Sequence, residues 1–189
     1  MARAGLNAER LTAAAAELAD EAGVENVTVS ALARRFGVKD ASLYSHIRGV
    51  QELRVRLAGL ALTELADRVA DALAGRSGKH ALAAFTGAYR DYATEHPGRY
   101  AAGMLRVEPD SLAGAAALRH STLTRALLRG YAVPSAEEVH AVRFLHSTVH
   151  GFVSLNQWGG FDHSGDVASS WDRLVDVLDA TLRNWPAGT

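Results

Sequence analysis

An all-α protein is what this chain predicts, and three observations carry that prediction. Apolar residues recur at spacings of three and four along most of the length, only four prolines interrupt 189 residues, and no alternating run bounded by hairpin turns occurs. Alanine and leucine, both strong helix formers, are abundant. About nine helices are expected. The first three are short and the others longer, which divides the chain into an N-terminal module over 1–49 and a helical body over 50–189.

The first helix is expected over 8–22, with Asn7 placed to cap it. Leu11, Ala15, Leu18 and Ala22 form its apolar stripe, and Gly23 stops it. The second follows Thr28, whose hydroxyl can accept from an open backbone N–H, and is broken at Gly37. A third, short helix runs to about His46, with Gly49 marking the next break. A long helix over about 50–73 has Leu62, Leu65, Val69 and Leu73 in register, and "GRSGK" ends it. Further helices are expected over about 81–95, 98–105, 111–130, 136–158 and 167–184. Pro97, Pro109 and Pro134 stand near their starts, where a missing N–H does no harm. "GGFDHSGD" reads as a turn-rich loop before the last helix, which Trp171, Leu174, Val175, Leu178, Leu182 and Trp185 make one-sided.

Composition narrows the classes. A hydrophobic share of 48% is enough for a sizeable core. The absence of cysteine excludes disulfides, thiolate metal sites and cysteine nucleophiles, and fits the reducing cytosol. The start "MARAGLNAERL" offers no apolar run for a signal peptide, and no stretch reaches the ~18 apolar residues of a membrane span. A soluble, cytoplasmic protein with no membrane partner is the expectation. The net charge of −1 conceals a local polarity. Over 30–56 the cations Arg34, Arg35, Lys39, Arg48, Arg54 and Arg56 outnumber Asp40 and Glu52 by 6 − 2 = 4, so the remainder carries −5.

That cationic segment, "ALARRFGVKDASLYSHIRGVQEL" over 31–53, has the pattern of a helix-turn-helix whose second helix can enter the DNA major groove. Leu32, Ala33, Val38 and Leu43 supply the apolar contacts that lock two helices together, and Gly37 can take the positive φ of the turn. Arg34, Arg35, Lys39 and Arg48 can neutralise phosphates. Ser42, Tyr44, Ser45 and His46 offer hydrogen bonds to phosphates or base edges. A solvated charged face explains a basic helix alone. It does not explain the coincidence of apolar spacing, glycine and hydroxyls.

The same run resembles the TetR family of transcriptional regulators, carried by Leu32-Ala33, Gly37-Val38, Leu43-Tyr44, His46-Ile47 and Leu53. The upstream "AAAELADEAGVENVTVSALA" is similar to the family's first two helices, and the detailed resemblance covers about 11–57. It implies that Thr28, Ser30, Lys39, Asp40, Ala41, Ser42, Tyr44, Ser45 and His46 face DNA. Asp40 is unusual beside phosphates; it can accept from a cytosine amino group or favour the helix N-terminus electrostatically. The family commonly has a phosphate-touching lysine early in its fourth helix. This chain has Val50 there, which leaves Arg48 or Arg54 to substitute. Further on, "HGFVSLNQWGGF" (150–161) resembles the eighth helix of a subgroup with a Trp–His–Gly signature, through His150-Gly151 and the "SL" and "GGF" endings.

The resemblance implies that the body senses a small-molecule effector and forms a homodimer through its last two helices, which are rich in apolar and aromatic residues. It implies no cofactor. Arg143, His146, His150 and Gln157 fall on one stripe, pointing either into a ligand cavity or at a neighbouring helix or subunit. His146 and His150 have the i, i+4 spacing of metal ligands, but no third ligand is marked. Phe85, Tyr89, Tyr92, Met104 and Trp158 can line an apolar pocket for an apolar or aromatic ligand, or be core. The expected function is a dimeric repressor released from a palindromic operator by a ligand. The alternative is a regulator that acts constitutively or through a protein partner. An enzyme is not expected: there is no G-x-S-x-G elbow, phosphate-binding glycine loop or HExxH, and Glu137 and Glu138 lie on different faces.

Overall fold

The computed structural model describes residues 5–106, 108–163 and 165–186, so Ser164 of the turn-rich loop lies outside the described residues. Among these residues are nine α-helices and no strand: α1 (Ala8–Ala22), α2 (Val29–Phe36), α3 (Asp40–Leu43), α4 (Val50–Leu73), α5 (Gly78–Glu95), α6 (Pro97–Gly103), α7 (Leu112–Arg129), α8 (Glu138–Gln157) and α9 (Val167–Arg183). The expected helices form, with several ends shifted, α6 to Pro97–Gly103 among them. α3 is a single turn rather than a helix to His46. α5 starts at Gly78 because the Ser77 carbonyl accepts from the Ala81 N–H at 3.3 Å, inside the stretch that reads as a breaker. α8 starts at Glu138, after a turn closed by the Glu137 N–H on the Pro134 carbonyl at 2.8 Å.

The chain forms two compact units, one of residues up to 64 with 95–118 and the other of 65–94 with 119 onward. The first unit therefore gathers more chain than the module over 1–49. Its core contains Leu11, Ala15, Leu32, Ala33, Leu43 and Ile47 from the first three helices and their connections, and it continues into Leu53 and Leu57 of α4 and Ala102 of α6. α6 lies so close to α1 that a Cβ on Gly98 would stand 1.9 Å from the Ala19 carbonyl oxygen. Asp20 of α1 locks this crossing: it accepts from the Arg99 N–H at 2.9 Å and pairs with the Arg99 guanidinium at 3.0 Å and the His96 ring at 3.2 Å.

The second unit packs Phe85, Tyr89 and Tyr92 of α5, Leu128 of α7, Leu145, Val149 and Val153 of α8, and Trp171, Val175, Leu178 and Leu182 of α9. Several of its polar groups bond to one another. The Tyr131 hydroxyl donates to Asp179 at 2.8 Å, and Arg183 reaches the same carboxylate at 2.9 Å. Gln157 donates its amide to the Ala93 carbonyl at 2.6 Å, which ties α8 to α5.

Candidate nucleic-acid interface

Local chemistry builds the helix pair. The Thr28 hydroxyl accepts from the Ala31 N–H at 3.1 Å and so caps α2. Gly37 takes φ 65°, ψ 34°, the left-handed conformation that costs other residues free energy. The Val38 N–H then donates to the Ala33 carbonyl at 3.0 Å, closing a Schellman-type turn. Lys39 is extended and α3 begins at Asp40. Leu43 and Ile47 are buried and anchor the turn from below. The Ser45 hydroxyl donates to the Ser42 carbonyl at 2.8 Å, a side-chain bond that competes with further helix and accompanies the early end of α3.

The expected DNA-facing residues have two fates. Thr28, Ser30, Arg34, Lys39, Asp40, Ala41, Ser42, Tyr44 and Ser45 are all exposed, and His46 is half-buried. Tyr44 is a large aromatic left 56% exposed, an expensive position for a ring. Lys39, Ser42, Ser45 and His46 line one broad concavity of about 970 Å³. Arg35 is turned elsewhere: its guanidinium pairs with Glu17 at 2.6 Å and Glu21 at 2.8 Å on α1. Hydrogen bonding to Arg35 holds the Glu21 carboxyl below its ordinary range.

Asp40 has a partner that its sequence context does not reveal. The Ser30 hydroxyl of α2 donates to its carboxylate, bridging the two helices beside the first turn of α3. Arg10 of α1 is a cation that sequence reasoning missed. It lines the same concavity as Lys39, with its guanidinium 5.9 Å from the centre of the Phe36 ring. Its only sequence signal is a cation two residues inside a capped helix. Arg48 is 95% exposed, and Glu52 reaches it twice, accepting from its N–H at 2.8 Å and lying 3.7 Å from its guanidinium Nε. Val50 is exposed. Arg54 lines a small groove with Gln51 and Arg106.

In the second unit, some of the expected ligand-contacting residues come together. Phe85 and Tyr89 of α5 have ring centroids 5.1 Å apart, and His146 of α8 lies 5.6 Å from Tyr89. Two residues of α7 complete this cluster, His120 and Thr124, both buried and neither apparent from the sequence. Their one signal was a polar i, i+4 pair on an otherwise apolar face. Burial lowers the pKa of both His120 and His146 to about 4, and for His120 the neighbouring imidazole adds to the effect. Tyr92 is buried under the Arg68 guanidinium, 5.2 Å from its ring. His150 lies 3.4 Å from the Ser154 hydroxyl, one turn along α8. Met104 belongs to the first unit and is exposed, and Trp158 at the end of α8 is 79% exposed, so neither joins the cluster. Among the described residues, no group of three His, Cys, Asp or Glu gathers to hold a metal ion. No described helix is long and apolar enough to cross a membrane.

Comparison with known proteins identifies the family. Residues 11–56 match the family described as bacterial regulatory proteins, tetR family, and residues 82–178 match the tetracyclin repressor-like C-terminal domain. An uncharacterized HTH-type transcriptional regulator of Bacillus subtilis (strain 168), YobS, is 35% identical over 168 residues, covering 89% of this chain and 88% of that one. Among solved structures, a protein of unknown function from Rhodococcus sp. RHA1 superposes with a TM-score of 0.77 at 23% identity, covering 98% of both chains. A TetR variant from Acinetobacter baumannii AYE in complex with minocycline superposes with a TM-score of 0.71 at 24% identity, covering 97% of this chain and 100% of that one.

Proposed function

The chain belongs to the TetR family of helix-turn-helix transcriptional regulators, and from that premise we propose that it is a homodimeric repressor released from a palindromic operator by a small-molecule effector. The observation that carries this reading is the solvent-facing grouping of Lys39, Ser42, Tyr44 and Ser45 above the buried anchors Leu43 and Ile47. A rigid scaffold presents cation, hydroxyls and ring outward together, as a surface that meets a phosphate backbone requires. Thr28, Ser30, Arg34, Asp40, Ala41 and His46 extend the contact surface, Arg48 supplies the phosphate contact that Val50 cannot make, and Arg35 acts through α1.

The dimer face is read from α8 and α9. Val139 and Leu155 of α8, Trp158 just after it and Val177 of α9 are exposed apolar residues. Between them on the same row of α8 stand the exposed Arg143 and the small Ser147 and Gly151, and a Cβ on Gly151 would meet nothing within 4 Å. Among the described residues nothing crowds that glycine, which leaves room for close approach of a second helix. Two copies related by a two-fold axis would present their α3 turns one DNA turn apart, about 34–36 Å.

A ligand can release such a dimer only by its differential affinity for a state whose reading heads are mis-spaced. That a TetR variant of the same fold is in complex with minocycline supports a ligand role for this chain. The test is selection of bound DNA from a random library, followed by gel shifts with Lys39→Ala and Tyr44→Ala. A two-fold symmetric site should be enriched, and both variants should bind it at least ~10-fold more weakly while staying folded. Affinity should decline with salt by a slope of about 0.9 per phosphate neutralised. Unselective binding, or variants as tight as the parent, would refute the reading head.

A further inference from the structure

The polar cluster in the second unit is a hydrogen-bonded chain with an order that can be worked out. The Thr124 hydroxyl donates to the His120 carbonyl at 3.1 Å and lies 3.1 Å from Nε2 of His146. With its proton committed to the carbonyl, the threonine oxygen accepts from a His146 Nε2–H. That leaves Nδ1 of His146 as an acceptor, and the Tyr89 hydroxyl stands 3.4 Å from it. Having donated there, the Tyr89 oxygen accepts from Nε2–H of His120, with which it is in contact. The chain ends on Nδ1 of His120, a buried nitrogen with no partner among the described residues. Reversing every proton would take Thr124 off the carbonyl and end the chain on a buried, orphaned N–H, which is rarer in proteins than an unfilled acceptor.

His120 is 7% exposed, so water does not reach this lone pair freely. A buried acceptor left empty costs free energy that a donor would recover. The rings around it are apolar or uncharged: Phe85 lies stacked at 6.1 Å and 26°, Tyr89 edge-on at 5.1 Å, and His146 edge-on at 5.4 Å. These neighbours and Thr124 supply no carboxylate to pair a cation. A carboxylate ligand would meet the imidazole lone pair, which repels it.

We infer that Nδ1 of His120 is the recognition point for a neutral aromatic ligand that carries an O–H or N–H donor, of the phenol or indole class. The ligand's donor completes the chain and its ring packs against Phe85. Because the rings already touch one another, the ligand enters by displacing one of them, so binding and side-chain rearrangement are coupled. As the effector site, this rests on the regulator reading above; as a binding site, it stands without it.

The test uses the full chain with 15N-labelled histidine. In the free protein, His120 and His146 should both show the Nε2–H tautomer. Phenol should bind and shift the Nδ1 resonance of His120. Anisole, of similar ring size but without a donor, and benzoate should each bind roughly tenfold more weakly or worse. His120→Phe, if it folds, should lose the preference for phenol over anisole. Equal binding of phenol and anisole, an unmoved His120 resonance, an Nδ1–H tautomer, or no binding because a trapped water completes the chain would each overturn the inference. Release of the selected operator is scored separately. Phenol bound as described without release would count against the effector reading alone, and release by other compounds with His120 unmoved would count against this site alone.

Discussion

Replacing Gly98 by alanine adds one methyl group where α6 crosses α1. Its carbon would stand 1.9 Å from the Ala19 carbonyl oxygen, 2.0 Å from the carbonyl carbon and 2.6 Å from the Asp20 amide nitrogen. All three are backbone atoms of a continuous helix, so no side-chain rotation relieves the clash. Carbon and oxygen sit at ordinary contact near roughly 3.3–3.6 Å, so α6 must retreat by about 1.5 Å. That movement carries the Arg99 N–H, now 2.9 Å from Asp20, out of hydrogen-bond reach. Overpacking costs about 1–3 kcal/mol and the lost bond about 1 kcal/mol, giving about 2–4 kcal/mol together. For a chain of this length the thermal midpoint should fall by roughly 5–15 °C. Thermal melts followed by circular dichroism measure the shift and urea denaturation the free energy, with Gly87→Ala as the control. Gly87 lies within α5, and an added Cβ there meets nothing within 4 Å, so only helix propensity acts and should stabilise by about 0.5–1 kcal/mol. A Gly98→Ala protein within about 0.5 kcal/mol of the parent would mean the crossing is not this close in solution.

Three other perturbations separate the remaining elements. Gly151→Arg points a long cation into open space on α8; the chain should stay helical but become monomeric by light scattering, and a variant that still dimerises would place the interface elsewhere. Thr28→Ala removes the hydroxyl that caps α2 and should cost about 1 kcal/mol in urea denaturation, whereas Thr28→Asn should restore most of it. His120 and His146 titrate near 4 when folded against 6.5 when unfolded, so between those values the unfolded chain binds more protons than the native one. Their contribution to stability is present above about pH 6.5 and is lost as pH falls toward 4, at no more than about 1.4 kcal/mol per pH unit for each. Unfolding free energies measured at pH 7.5 and 5 should differ accordingly, and His120→Phe should reduce the difference; equal values would contradict the burial of both rings.

The helices were legible because their boundaries are written in short-range chemistry. Asn7 accepts from Arg10 and Thr28 from Ala31, each three residues ahead, and Gly37 closes α2 through atoms within five residues. Such bonds need only neighbours, so residue types at fixed offsets announce them. α3 was overextended for the same reason in reverse. A polar run from Lys39 to His46 suits a helix end or a turn equally, and the choice lay with the Ser45 hydroxyl.

The sites were legible only in proportion to how local they are. Lys39, Ser42 and Tyr44 stand within six residues, and a pattern in the chain suffices to group them. Arg35 belongs to the same run, yet it is engaged by Glu17 and Glu21, eighteen and fourteen residues earlier. A cation's worth to a phosphate depends on which carboxylates reach it first, and that is a property of packing. The polar cluster lies at the far end of this scale. Its Tyr89 contacts span 31 and 57 residues, and His120 gains its meaning only when α5, α7 and α8 converge on it. In sequence, His146 and His150 look like the natural pair because they sit one turn apart. In space, His146 meets His120, because burial rather than spacing decides which histidines share a network, and the same burial leaves one nitrogen of that network waiting for a donor.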